Sequence, residues 1–135
     1  MRVLGVDYGA RRVGIALGDT ETRLASPWRV LTPRSSEHLV QELLTLAREE
    51  QVERFVVGVP HPLSDPSRET DQAREIRAFI ANLSRQGVEV IEEDESLSSR
   101  LACVQAEEMD EHKKRDDLAA AVILQTYLDR YGVSA

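Results

Sequence analysis

Residues 1–19 constrain the fold most, because two apolar runs flank a connection that is too short for a crossover. Residues 3–8 and 13–17 have the composition of buried strands, and only residues 9–12 join them. So short a connection can join antiparallel strands but not parallel ones. The pattern therefore predicts a β-hairpin, in which Gly9 can supply the positive φ that tight turns often need.

A single acid, Asp7, interrupts the first of these apolar runs. Acids are depleted in strands and costly to remove from water, so this carboxylate needs an explanation. It either caps the turn at the end of a strand or binds a divalent cation or faces a phosphate. Small residues surround it, namely Gly5, Gly9, Gly14 and Ala16, and they indicate that something approaches the backbone closely here. This favours the binding site over the cap.

The rest of the chain is predicted to alternate strands and helices. Further strands are expected at residues 24–31, 54–59 and 88–91, and helices at residues 39–51, 69–87, 97–109 and 116–131. The run 54–59 lacks polar alternation, which is typical of a parallel strand buried on both faces. The order β-β-β-α-β-α-β-α-α predicts an α/β fold, a mixed sheet with helices on both faces. The length predicts one domain, residues 1–135.

Two residues of the predicted third strand have structural implications. Pro27 cannot donate to a ladder, so this strand is predicted to lie at an edge of the sheet. Trp28 is expected to pack at the core or its rim, with a platform for stacking a base as the alternative.

Charge and composition favour an enzyme that acts on nucleic acid over a protein that packages it. The net charge of −7 is opposite to what a packaging protein needs. Residues 1–34 nevertheless hold six arginines against three acids, and a second basic cluster lies at 113–115. Cys103 is the only cysteine, which excludes an internal disulfide and a cysteine zinc cluster. No signal peptide and no transmembrane run is expected, so a cytoplasmic protein is predicted.

Acids recur at three places, Asp7, Asp94–Glu95 and Asp116–Asp117. The carboxyl ends of parallel strands meet at one edge of a sheet, so Asp7 and Glu95 are expected near each other, and the last helix could begin above them. Converging carboxylates repel one another unless a cation binds, and oxygen ligands favour Mg²⁺ or Mn²⁺. The alternative is that the acids merely cap a helix N-terminus and end a solvated strand.

Four segments in this order resemble the YqgF/RuvX family, Holliday-junction-resolvase-like proteins that are also described as nucleases of pre-16S ribosomal RNA. The resemblance extends over essentially the whole chain, and the segments are Val6–Ala16, Val56–Pro60, Asp94–Ser99 and Lys114–Gln125. The resemblance implies an RNase H-like fold, a five-stranded mixed sheet whose first three strands are antiparallel, flanked by helices.

The resemblance also implies a catalytic site of three metal-binding acids, which carry over to Asp7, Glu95 and Asp116. Asp116 is preferred to Asp117 because the family's aspartate lies three residues before a pair of alanines, here 119–120. The implied cofactor is Mg²⁺ or Mn²⁺, with two ions in the site. One departure is Ser96, which stands where the family usually has an arginine, and Arg100 could substitute for it.

The expected function is metal-dependent endonucleolytic cleavage of structured nucleic acid, either branched DNA or the 5′ end of pre-16S rRNA. Substrate contacts are expected from Arg11, Arg12, Ser98, Lys113, Lys114 and Arg115. Symmetric cleavage of a four-way junction would call for a homodimer. One alternative is a non-catalytic RNase H-like module that binds RNA in ribosome biogenesis. The other is an actin-like or sugar-kinase-like ATPase fragment, which the length of the chain disfavours.

Overall fold

A five-stranded mixed sheet forms the centre of the structure, a computed structural model that describes residues 1–9, 11–59, 71–94 and 116–131. The spatial order of the strands is β3-β2-β1-β4-β5. Strands β1 to β3 are antiparallel, whereas β4 pairs in parallel with both β1 and β5. The strands are β1 (Arg2–Tyr8), β2 (Val13–Asp19), β3 (Leu24–Leu31), β4 (Val52–Val59) and β5 (Glu89–Asp94), and the helices are α1 (Ser36–Glu50), α2 (Asp71–Ser84) and α3 (Asp116–Arg130).

The predicted fold class, with its hairpin and its antiparallel first three strands, is confirmed. The predicted helix 97–109 lies outside the described residues. Strand β5 continues to Asp94, beyond the predicted end at residue 91. Helix α2 ends at Ser84 rather than at Gly87, because a tight turn follows in which Gly87 has a φ of 87°.

Helices cover both faces of the sheet. Strand periodicity puts Leu4 and Val6 on one face, where they share a core with α1 and α2. Val3, on the opposite face, packs in a second core under α3. Helix α1 begins at an N-cap, Ser35, whose hydroxyl accepts a hydrogen bond of 3.1 Å from the backbone N–H of His38. None of the helices in the described part of the chain is long and apolar enough to cross a membrane.

Strand β3 lies at the edge of the sheet, as Pro27 predicted. The ladder with β2 contains a bulge, because Ile15 pairs with Arg29 and Ala16 with Pro27. Trp28 is therefore an extra residue in β3, and its half-buried side chain packs against the first core. The expectation that Trp28 packs at the core is confirmed.

Candidate active site

The carboxyl ends of β1, β4 and β5 lie at one edge of the sheet, which we call the carboxyl edge. Asp7 is the penultimate residue of β1, and Asp94 is the last residue of β5. In the ladder, Val6 is level with Val57, and Val57 is level with Glu92. Two strand spacings of about 4.8 Å therefore separate the ends of β1 and β5. Glu95 follows Asp94 in sequence and lies outside the described residues.

Asp7 lies on the face of the sheet that α3 covers. Val3 and Gly5 contact α3, and the two-residue period of a strand puts Asp7 on the same face. Its side chain is half-buried, and its backbone is level with Gly14 of β2. Asp7 is therefore a strand-end carboxylate next to a helix, in a position that a ligand at the carboxyl edge can reach.

Helix α3 runs antiparallel to β1, so that it begins at the carboxyl edge. A Cβ atom on Gly18, which is level with Val3, would meet Leu124 and Leu128 at 3.0 Å. A Cβ on Gly5 would meet the Cβ of Leu124 at 2.8 Å and the carbonyl oxygen of Ala120 at 3.0 Å. Two residues along β1 thus correspond to four residues along α3.

The two steps have nearly the same length, about 6.6 Å for two strand residues and about 6 Å for four helix residues. One further step takes β1 from Gly5 to Asp7 and α3 from Ala120 to Asp116. The first residue of α3 therefore lies at the level of Asp7. Asp117 belongs to the neighbouring row of helix positions 117, 121 and 125, whose member Gln125 bonds to β3. The backbone of Asp116 is thus in the helix row that follows β1, and that of Asp117 is in the neighbouring row.

At Gly5 the group that approaches the backbone closely is helix α3, since Ala120 and Leu124 occupy the space beside it. The close approach expected from the small residues is therefore present at Gly5, and it is made by protein. A positive φ was predicted for Gly9, but Gly9 does not have one. Glycine is needed here for space instead, because a Cβ atom at this position would clash with the carbonyl oxygen of Arg12 across the turn.

Hydrogen bonds from one amide hold α3 to β3. Gln125 Oε1 accepts a bond of 3.0 Å from the backbone N–H of Ala25, and its Nε2 donates to the carbonyl oxygen of Arg23 at 2.7 Å. Arg23 is a non-glycine residue in the left-handed region, with a φ of 57°. Gln125 thus fastens a strained turn and an edge strand to the helix that begins at the carboxyl edge.

A second set of contacts holds α3 to β4 and β5. The Arg54 guanidinium donates to the Tyr127 hydroxyl and pairs with Glu89 at 2.8 Å. Burial opposes the charge of Arg54, but its bonds to Glu89 and Tyr127 more than compensate and raise its pKa. The C-terminal half of α3 is therefore held on both flanks, and Asp116 is the first residue of this anchored helix.

Replacing Gln125 with leucine is expected to lower the free energy of unfolding by about 1–2 kcal/mol, because a half-buried N–H loses its acceptor. The change can be measured by urea unfolding. The control is Gln72→Leu, an exposed residue of α2, which is expected to change stability by less than about 0.5 kcal/mol. Equal stabilities of the two variants would show that the amide does not hold the helix.

A buried acid that the sequence did not single out lies in β5. Only 3% of the Glu93 side chain is exposed. The sequence also allowed the acids at the end of this strand to be solvated. Glu93 pairs with Arg130 in the last turn of α3. Glu93 stands between Glu92 and Asp94 in an acidic run, so nothing in its local sequence distinguishes it from these neighbours, and only its burial and its pairing with Arg130 identify it.

Arg11 and Arg12 are exposed in the β1–β2 turn at the carboxyl edge, where phosphate contacts were predicted. Tyr8 stacks on Phe79 with ring centroids 5.0 Å apart, and burial, followed by the charge of Glu75, raises its pKa. The other predicted substrate contacts lie outside the described residues, and they are Ser98, Lys113, Lys114 and Arg115.

Among the described residues, no three side chains of histidine, cysteine, aspartate or glutamate lie together so that they could hold a metal ion. Glu95 is not among the described residues.

Comparison with known proteins gives consistent matches along the chain. The family model described as "RuvX: Holliday junction resolvase" matches residues 1–130. Curated relatives carry the name "Putative pre-16S rRNA nuclease". One from Sulfurihydrogenibium sp. is 33% identical over 98% of this chain and 93% of its own. Another, from Thermus thermophilus, is 34% identical over 96% and 98%.

Solved structures show the same fold at low sequence identity. Thermus thermophilus RuvC in complex with a Holliday junction has a TM-score of 0.62 at 16% identity, over 98% of this chain and 96% of that one. The yeast mitochondrial Holliday junction resolvase Ydc2 has a TM-score of 0.55 at 12% identity, over 96% and 80%. The five-stranded sheet with its helices is thus the RNase H-like fold of these resolvases.

Proposed function

Since the chain belongs to the RuvX family of Holliday junction resolvases, we propose that it is a divalent-metal-dependent endonuclease acting on structured nucleic acid. The proposed catalytic residues are Asp7, Glu95 and Asp116. The observation that carries this proposal is the register of α3 on β1, which brings the start of the helix level with Asp7.

The donor set is compatible with a hard cation, because it consists of carboxylate oxygens. The three carboxylates of Asp7, Glu95 and Asp116 would hold Mg²⁺ or Mn²⁺, and we propose two ions. A bound cation of this kind neutralises charge at a phosphate and favours attack by water. The chain's own contribution is to fix the carboxylates. Asp7 is held in the β1–β2 ladder, and Asp116 is carried by a helix anchored on both flanks.

Substrate contacts are proposed at the same edge. Exposed Arg11 and Arg12 in the β1–β2 turn would bind phosphates that flank the cleaved bond, since guanidinium groups match phosphate geometry. Ser98, Lys113, Lys114 and Arg115 are proposed to complete this surface. Phosphate contacts of this kind position the nucleic acid without reading its sequence.

Two substrates follow from the names of relatives, a Holliday junction and pre-16S rRNA. The proposed location is the cytoplasm, where both occur in bacteria, and a homodimer is proposed for symmetric cleavage of a junction. A second candidate function, a non-catalytic RNA-binding module, is favoured by Ser96 alone. Ser96 follows Glu95 at the position where the family usually has an arginine.

Cleavage of a labelled four-way junction and of a structured precursor-rRNA fragment is the direct test. We expect products with Mn²⁺ or Mg²⁺ and none with EDTA, because the carboxylates need a cation to act on a phosphodiester. Faster cleavage of the four-way junction would identify a junction resolvase, and faster cleavage of the rRNA fragment would identify an rRNA-processing nuclease. Binding of either substrate without products under any metal condition would overturn the nuclease and leave the binding module.

A further inference from the structure

An arginine and a tryptophan form a stacked pair on the edge strand β3. The bulge inserts Trp28 into the ladder, so Trp28 and Arg29 together oppose the step from Ile15 to Ala16 in β2. The guanidinium carbon of Arg29 lies 4.5 Å from the centroid of the Trp28 ring, within the range of a cation–π interaction. Trp28 packs against the first core, and Arg29 is exposed. A half-buried platform therefore orients an exposed cation.

Arg29 has no carboxylate partner among the described residues. The acid nearest to it in the groove between β3 and α1 is Glu42, whose Oε1 lies 3.1 Å from Nε2 of His38. Arg34, just after β3, and Arg11, in the β1–β2 turn, likewise lack an ion pair with a described acid. An acidic chain with a net charge of −7 thus leaves several arginines unneutralised in one region.

These arginines lie close to the carboxyl edge. Arg29 is level with Ile15, and Ile15 is level with Val6, which precedes Asp7. Two strand spacings, about 10 Å, therefore separate the backbones of Arg29 and Val6. Arg29 lies on the face of the sheet that α1 covers, whereas Asp7 lies on the α3 face, so a substrate that contacts both must pass over the carboxyl edge from one face to the other. Leu31 pairs with Val13 next to the turn that carries Arg11. We call Arg11, Arg29 and Arg34 the β3 basic strip.

We propose that the β3 basic strip binds a phosphate backbone of the substrate, with Arg29 as its oriented contact, so that the nucleic acid crosses the carboxyl edge on the β3 side. This inference rests on the proposed nuclease function and adds the path of the substrate. A stacked guanidinium keeps its in-plane N–H donors available for phosphate oxygens. The exposed group of this pair is the guanidinium of Arg29, and guanidinium groups match phosphate geometry, so the proposed contact is to the phosphate backbone and not to a base.

The test measures binding in the Asp7→Asn background, which prevents cleavage from consuming the substrate. Fluorescence anisotropy with a labelled four-way junction is recorded over a range of salt concentrations. Arg29→Ala is expected to weaken binding about fivefold and to reduce the slope of log K against log salt by about one. The loss should be equal for junctions of different sequence.

Matched variants separate charge, stacking and folding. Arg48→Ala removes another exposed arginine without an ion pair in the described residues, in the last turn of α1, and is expected to leave binding unchanged. Arg29→Lys keeps the charge but loses the planar fork, so it should recover only part of the affinity. Trp28→Leu should resemble Arg29→Lys, and if it fails to fold, the two Arg29 variants decide.

Wild-type affinity and salt slope in Arg29→Ala would overturn the inference, as would a loss confined to one junction sequence. Because this readout is binding, it is independent of the cleavage assay. An inactive wild type with a weakened Arg29→Ala would refute the nuclease, whereas an active wild type with unchanged Arg29→Ala binding would refute only the substrate path.

Discussion

Asp7→Asn is expected to lower the cleavage rate by about 10³-fold or more, equivalent to about 4 kcal/mol of transition-state stabilisation. Asparagine has nearly the shape of aspartate, so the half-buried site at the end of β1 should keep its structure. The neutral amide cannot balance the charge of a cation. Single-turnover cleavage with saturating Mn²⁺ measures the effect, and thermal melting checks that the variant is folded.

A matched pair at the start of α3 makes this prediction specific. Asp116→Asn should cause a loss similar to that of Asp7→Asn, whereas Asp117→Asn should retain most of the activity, since its row of helix positions leads to Gln125 and β3. Both substitutions remove one negative charge from the first turn of the same helix, so their effects on the helix dipole match. An active Asp7→Asn, or an inverted order of the α3 pair, would contradict the assigned acids.

Gly5→Ala is expected to destabilise the protein by about 2 kcal/mol, because the new methyl group would lie 2.8 Å from the Cβ of Leu124 and 3.0 Å from the carbonyl oxygen of Ala120. Neither atom can move unless α3 moves. The melting temperature should fall by roughly 6–8 °C. Activity per folded molecule should fall too, because a displaced α3 carries Asp116 away from Asp7.

Gly58 provides the control for this prediction. A Cβ on Gly58 would lie 2.5 Å from Cδ1 of Ile123, the far end of a flexible side chain. Gly58→Ala should therefore cost less than Gly5→Ala, and adding Ile123→Val should restore stability by removing that atom. If Gly5→Ala were as stable as the wild type, α3 would not pack closely on β1.

The sequence predicted the elements well where a local cause exists. The short turn at 9–12 allows only a hairpin, and Pro27 allows only an edge strand, so both follow from neighbouring residues. The final helix is apolar on much of its surface, which correctly indicated packing onto the sheet.

Features that depend on contacts between distant residues could not be predicted in this way. Gly5 indicated a close approach to the backbone, but nothing in its neighbourhood in sequence identifies Leu124 as the group that approaches. Glu93 is buried because Arg130 neutralises it from another element. The bulge at Trp28 arises from the register of two strands, which propensity does not encode. The sequence itself singled out Asp7 and the pairs Asp94–Glu95 and Asp116–Asp117, and the family resemblance then selected Glu95 and Asp116 from the pairs. The roles of all three remain predictions.

The packing of α3 over the β1–β3 meander also has a consequence for the order of folding. The three strands are neighbours in sequence and pair through short loops, whereas α3 begins 85 residues after the end of β3, at Asp116 against Leu31. Closing so long a loop is slow relative to forming a hairpin. We therefore expect backbone amides of the meander to gain protection from hydrogen exchange in two phases, with the second phase reporting the arrival of α3. The carboxyl edge would be completed only in that second phase.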